Sequence, residues 1–182
     1  MAVNLYRGRS LMRQKRFYEA LLHLENAQKV LNDSFHILHS SYKEKFYELC
    51  HYIGLCYCHL GLYKLAYFYL DIAFVQNNIR YTEEYINCLV NSNDFRSLPL
   101  VSNLLEQVEN KLEENIEEPD EKIRSFRNFL RRRKVSIYIR LNCLEPAEEM
   151  LKPMLDEPDS NDYALNELAR IQRLRRENDL PS

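Results

Sequence analysis

The chain has 182 residues, of which 46% are apolar, 29% charged and 12% aromatic, with only 3 glycines and 6 prolines. That is the length and apolar content of a single domain spanning 1–182 with a sizeable core. The shortage of glycine and proline excludes collagen-like and linker character and argues against a loop-rich all-β fold. Lys and Arg total 25 against 27 Asp and Glu, and a net charge of −2 points neither to a general nucleic-acid binder nor to an acidic tail.

Residues 1–18 carry Arg7, Arg9, Arg13, Lys15 and Arg16 and no acid, a pattern shared by an ordinary basic helix and by a mitochondrial presequence. The same residues hold no apolar run of the secretory kind, so they are not expected to be a signal peptide. Leu21, Leu24, Ala27 and Leu31 form the first apolar stripe at helical spacing. Ser41-Tyr-Lys-Glu44 matches a capping box at the start of the next helix. From Ile53 to Phe74 the chain is strongly apolar but is interrupted by His59, Lys64 and Asp71, short of the run of about 20 residues that a membrane helix needs. Gly61 breaks that stretch, and Leu65, Tyr69, Ile72 and Phe74 follow at helical spacing. Asn91 to Asp94 predicts a turn, and Ser97 predicts a cap with Pro99 in the first turn of a helix carrying Leu98, Val101, Leu105, Val108 and Leu112. Glu118-Pro119-Asp120 and Glu157-Pro158-Asp159-Ser160 separate the last segments. Residues 160–177 then predict a final helix with Tyr163, Leu165, Leu168, Ile171 and Leu174 on its apolar side and Arg170, Arg173, Arg175 and Arg176 outside. The expectation is about nine helices and no strands.

The spacings repeat. Cys50, Ile53, Gly54, Tyr57, Gly61, Tyr63, Ala66, Leu70 and Ala73 place small residues where two helices cross closely and large ones where each fills its neighbour's groove. Gly8, Leu11, Lys15, Phe17, Ala20, Leu24 and Ala27 stand at the same spacings 46 residues earlier. Val135, Tyr138, Asn142, Leu144, Ala147, Leu151 and Met154 stand 81 residues later, and a weaker copy, with Ile86, Leu89, Asn93, Phe95, Leu98, Ser102 and Leu105, stands 32 residues later. This pattern resembles the tetratricopeptide (TPR) repeat, a helix–turn–helix unit of about 34 residues. Cys50 replaces its Trp, Ile53 its Leu, Leu70 its Phe, and Asn78 stands at its terminal Pro position. The copies cover 1–34, 47–80, 79–112 in degenerate form, and 128–161, with 160–177 as a capping helix.

The resemblance implies an all-α fold: an α-α superhelix, or solenoid, of about four TPR-like helical hairpins plus the C-terminal cap. Twelve residues separate the first two copies, which implies helices lengthened across Phe35 to Phe46. Pro153 lies inside the last copy's second helix and predicts a bend or an early stop. The fit of Gly8, Phe17, Ala20 and Ala27 favours an N-terminal helix that is kept over a presequence that is cleaved.

Chemistry-bearing clusters are few. The five cysteines (Cys50, Cys56, Cys58, Cys88, Cys143) include no CxxC pair and read as free thiols of a reducing compartment, with the cytoplasm as the default. Cys50, His51, Cys56, Cys58 and His59 look like metal ligands on paper. On a helix, however, His51 and Cys58 stand roughly 10 Å apart along the axis, and Cys56 with His59 makes only two ligands. No metal, cofactor or catalytic residue is expected, since both a G-x-S-x-G elbow and a phosphate loop are missing. Glu106 to Lys122 holds eight acids and Arg124 to Arg140 seven bases, which as consecutive antiparallel helices would neutralise each other.

In TPR proteins the first helix of each pair lines a concave groove. The resemblance places Leu5, Arg9, Met12 and Arg13 there, then His51, Leu55, Cys58 and His59, then Glu83, Asn87 and Asn91, and finally Arg132 and Arg140. It implies a non-catalytic interaction module, an adaptor, scaffold or small chaperone, that binds a protein or extended peptide. Small TPR chaperones of secretion systems are similar in size, with usually three repeats. Some TPR proteins hold chaperone C-termini in a Lys/Asn carboxylate clamp; Leu5 and Arg9 occupy its first two positions here and depart from it. Two alternatives are nucleic-acid association through the basic 124–140 face, and a self-associating structural role should Tyr67 or Tyr81 be exposed beside other apolar residues. No membrane partner is expected.

Overall fold

A computed structural model describes residues 1–33, 40–76, 78–114 and 120–178. Among these residues the secondary structure is helical, without a strand. Its elements are α1 (Ala2–Arg13), α2 (Phe17–Asp33), α3 (Ser40–His59), α4 (Tyr63–Phe74), α5 (Ile79–Asn91), α6 (Ser97–Glu114), α7 (Glu121–Arg140), α8 (Leu144–Leu151), a 3-10 turn at Pro153–Asp156, and α9 (Asn161–Asn178). No helix among the described residues is long and apolar enough to cross a membrane. The chain divides into two compact units, Met1–Ser92 and Asn93–Ser182.

The first unit is organised by α3, which touches α1, α2, α4 and α5. Ala20, Leu24 and Ala27 of α2 and Leu49, Ile53 and Cys56 of α3 are fully buried in its core. Two close helix crossings are built alike. A Cβ on Gly8 would stand 2.6 Å from Leu24 and 3.4 Å from the Ala20 carbonyl, and a Cβ on Gly54 would stand 2.6 Å from Leu70 and 3.2 Å from the Ala66 carbonyl. These are residues at matching spacings, and the matching extends to the turns. Lys15, Gly61, Asn93 and Asn142 each stand two residues past a helix end with φ of 60°, 74°, 56° and 57°. After α1, α3 and α7 the hydrogen bonds also agree. Lys15, Gly61 and Asn142 donate to the carbonyls of Met12, Cys58 and Ile139, and the next amides donate to Leu11, Tyr57 and Tyr138. This double bond closes the orphan carbonyls of a helix end around a left-handed residue.

Lysine is an uncomfortable occupant of that position, because its Cβ crowds the following carbonyl. Replacing Lys15 by glycine is therefore expected to raise the stability of the first unit by about 0.5–1 kcal/mol. A urea melt followed by tyrosine fluorescence checks it, and a lower midpoint would contradict the argument.

α5 begins at a clear signal: the Asn78 side chain accepts from the amides of Arg80 at 3.0 Å and Tyr81 at 3.4 Å. α3 begins at Ser40, seven residues before the copy that starts at 47, as an extension into the inserted stretch requires. The capping box at Ser41 and most of the insertion lie outside the residues and side chains described.

The second unit contains α6 to α9, with α7 against both α6 and α8. Asp120 caps α7 by accepting from the Lys122 amide at 2.8 Å. α6 starts at Ser97 itself, with Pro99 in its first turn, while Asp94 accepts from the Arg96 amide at 2.9 Å and so takes the side-chain role expected of Ser97. α8 stops at Leu151, just before Pro153, and the chain continues as the 3-10 turn. Val135, Ala147, Leu151, Met154, Ala164 and Ile171 make the fully buried core. Leu165 is 54% exposed and so lies off the apolar side of α9, which runs through Ala164, Leu168 and Ile171. Arg175 turns inward to Glu148 at 2.8 Å.

Candidate functional site

In the first unit α1, α3 and α5 contribute to one pocket of about 230 Å³, lined by Arg9, Met12, Arg13, Tyr52, Leu55 and Arg80. Arg9 and Arg13 are one helical turn apart and share a face of α1. Tyr52 and Leu55 present from α3, and Arg80 stands in the first turn of α5. The Arg9 guanidinium lies 5.3 Å from the centroid of the Tyr52 ring and donates to Glu48 at 3.3 Å. Glu48 also pairs with Lys45 at 3.5 Å and lines a second pocket of about 360 Å³ with Glu44, Tyr47, Gln76, Asn78 and Tyr81. The first pocket is thus cationic with an apolar floor, and the second is mixed in charge.

His51 lies beneath this surface. It is fully buried, its ring stacks on Tyr81 at 4.1 Å and tilts against Tyr52 at 5.4 Å, and neither ring nitrogen has a hydrogen-bond partner among the described residues. Burial, helped by the Arg80 charge, pushes its pKa from 6.5 down to about 4, so the imidazole is neutral at pH 7. It supports the ring pair above it and offers no surface to a partner.

The other residues expected in the groove are placed as follows. Arg9, Met12, Arg13 and Leu55 come together in the cationic pocket. Cys58 is a half-buried free thiol that hydrogen-bonds with the Cys88 thiol of α5; that hydrogen bond lowers its pKa against the opposing effects of burial and the Glu84 charge. His59 stacks on Phe17 at 4.3 Å, which puts it at the α1–α2 turn and away from the pocket. Asn87 is half-buried with its Oδ1 unpartnered, and Asn91 is exposed further along α5. The pocket residues that spacing missed are Tyr52 and Arg80. Continuing the Asn91–Asn87 stripe of α5 back by two turns reaches Glu84 and then Arg80, so a helical register starting from Asn87 finds it.

Arg132 and Arg140 belong to the second unit, where the basic helix is largely engaged from within. Arg131 pairs with Glu109 of α6 at 2.8 Å, the neutralisation expected across the α6–α7 hairpin, and with Glu157 at 2.9 Å. Arg127 shares Glu157 at 3.0 Å; burial first, and then the Arg131 charge, lowers its pKa. Arg132 donates to the Asp159 carbonyl at 2.6 Å and lies 5.2 Å from the Tyr163 centroid, while Tyr163 donates back to the Arg132 carbonyl. Arg133 and Lys134 lie over Phe129 and Tyr138, and Arg140 donates to Asn93 at 3.1 Å. Removing Glu157 strips half-buried Arg127 of its acidic partner and leaves Arg131 beside it with Glu109 alone. Glu157→Ala is expected to destabilise the second unit by about 1–2 kcal/mol, allowing for solvent screening. Amide exchange in α7 and α8 measures it, and unchanged protection would show that the pair contributes nothing.

Cys50 and Cys56 are buried thiols whose pKa values burial pushes up to about 12, which makes them poor nucleophiles at neutral pH. Among the described residues no group of three or more His, Cys, Asp or Glu side chains could hold a metal ion. Tyr67, whose hydroxyl meets Ser92, and Tyr81, stacked on His51, are both half-buried; the exposed ring of that segment is Phe68, at 63%. Comparison with protein-family models, with curated proteins and with solved structures finds no match for this chain.

Proposed function

We propose that the chain is a non-catalytic interaction module of TPR-like helical hairpins, in which the α1–α3–α5 face of the first unit holds a segment of a partner protein. The observation that carries this is the pocket itself. Three helices of one unit converge three arginines, a tyrosine ring and two aliphatic side chains on one concavity. An extended segment with an acidic or apolar side chain every few residues complements such a surface. The repeat reading behind it, an α-α superhelix of about four hairpins with α9 as cap, is supported by the four left-handed turn residues and by the paired Gly8–Leu24 and Gly54–Leu70 crossings. Adaptor, scaffold and small chaperone are roles for one and the same binding face.

Nucleic-acid association through α7 is the second reading, and the engagement of Arg127 and Arg131 by Glu157 and Glu109 weighs against it. A tagged pull-down from native lysate, with and without nuclease, separates the two. A reproducible, nuclease-resistant protein partner that is lost on Arg13→Glu is the expected result. Recovery of nuclease-sensitive material alone would replace the proposal with the second reading.

A further inference from the structure

We propose that the Arg9–Arg13–Arg80 pocket recognises a phosphomonoester, the phosphorylated side chain of a partner segment; this rests on the peptide-binding reading of the same face. The charge balance leads there. Of the three arginines lining the pocket only Arg9 has an acidic partner, Glu48 at 3.3 Å, and that carboxylate is shared with Lys45. Arg13 and Arg80 make no ion pair among the described residues, and with Glu84 one turn beyond Arg80 on α5 the pocket still keeps a net positive charge of more than one.

Their positions are unfavourable to the unliganded protein. Arg9 and Arg13 are like charges at i,i+4 on one helix face. Arg80 is a cation in the first turn of α5, at the positive end of the helix dipole. The Asn78 side chain already takes the Arg80 and Tyr81 amides, so these backbone donors are not what an anion would find. The guanidinium groups are.

A carboxylate offers two oxygens and one charge, which a single guanidinium fork satisfies. A phosphodiester offers a single charge as well. A phosphomonoester carries about −1.5 to −2 at pH 7 and three acceptor oxygens, which match three forks and a net positive charge of more than one. A pocket of about 230 Å³ is smaller than drug-sized ligand sites and suits one side-chain head group. Met12, Leu55 and the Tyr52 ring provide the apolar wall for its stem.

The test is a nuclear magnetic resonance titration of the full chain, labelled with nitrogen-15, with three aromatic probes: phenyl phosphate, methyl phenyl phosphate and benzoate. Phenyl phosphate is expected to bind about tenfold or more tightly than either of the others, with shifts centred on Arg13, Tyr52 and Arg80. Arg13→Gln and Arg80→Gln should each abolish that preference while keeping the spectrum of a folded chain. Equal binding of benzoate or of the diester would overturn the proposal, and so would shifts centred on Arg124–Arg140. An array of short random peptides, each in phosphorylated and unmodified form, separates this inference from the reading beneath it. Preference for the phosphorylated forms supports both. Equal binding of both forms overturns the phosphomonoester and leaves the peptide face standing, whereas binding of neither form overturns both.

Discussion

Replacing Gly54 by valine is expected to destabilise the first unit by about 2 kcal/mol while leaving the second unit unchanged. The Cβ alone would stand 2.6 Å from Leu70 and 3.2 Å from the backbone oxygen of Ala66, and valine adds two methyl groups to that crowding. Leu70 can turn aside, but the Ala66 carbonyl moves only with α4. The gain in helix propensity of valine over glycine offsets only about 0.3 kcal/mol of this, and overpacking of a filled core costs about 1–3 kcal/mol or more, so the net loss is about 2 kcal/mol. Gly61→Ala is the control. A Cβ there meets nothing within 4 Å, and the only penalty is the left-handed backbone, about 1 kcal/mol. No tryptophan is present, and nine of the thirteen tyrosines lie between Tyr42 and Tyr85, so tyrosine fluorescence in urea follows the first unit selectively. A Gly54→Val protein no less stable than Gly61→Ala would mean that α3 and α4 do not cross at that residue.

The second large effect is on acid stability, and its sign follows from His51. In the folded chain the imidazole titrates at about 4, below the 6.5 of an exposed histidine. The unfolded chain therefore binds the proton first. Stability from this residue is intact above about pH 6.5, falls as the pH drops from 6.5 towards 4, and changes no further below that. Over the whole window the loss is about 3 kcal/mol. His51→Phe keeps a ring stacked between Tyr52 and Tyr81 and removes the titration. Urea melts at about pH 7.5 and pH 4.5 should show most of that loss in the wild type and less than half of it in the variant. Equal losses in the two proteins would mean that other groups carry the acid sensitivity.

Much of the first unit could be read in the sequence because its restraints are local and periodic. Gly8, Gly54, Ala20 and Ala66 announce close crossings because only small residues fit there, and Lys15, Asn93 and Asn142 could be aligned with Gly61 because the spacing between turn and helix is fixed. Side-chain direction was less legible. His51 shares a helix with Leu55, yet Tyr81 closes over it from α5, a contact that no spacing within α3 encodes. The basic run is legible only in part. Its hairpin partner Glu109 follows from two consecutive helices, but Glu157 comes from the connection after α8, where the early stop before Pro153 sets the path of the chain. Arg80 is hard to read from sequence because it stands in the first turn of α5, one turn before Glu83 and on the neighbouring face.

Site-resolved photo-crosslinking tests the central claim most directly. A photoreactive benzoylphenylalanine placed at Met12, in the cationic pocket, is compared with the same group at Leu165, exposed on α9. In native lysate the Met12 position should yield a discrete protein adduct that nuclease leaves intact and Arg80→Glu removes, while Leu165 yields none. Adducts that form equally at both positions, or at Leu165 alone, would show that the α1–α3–α5 face is not where this protein holds its partner.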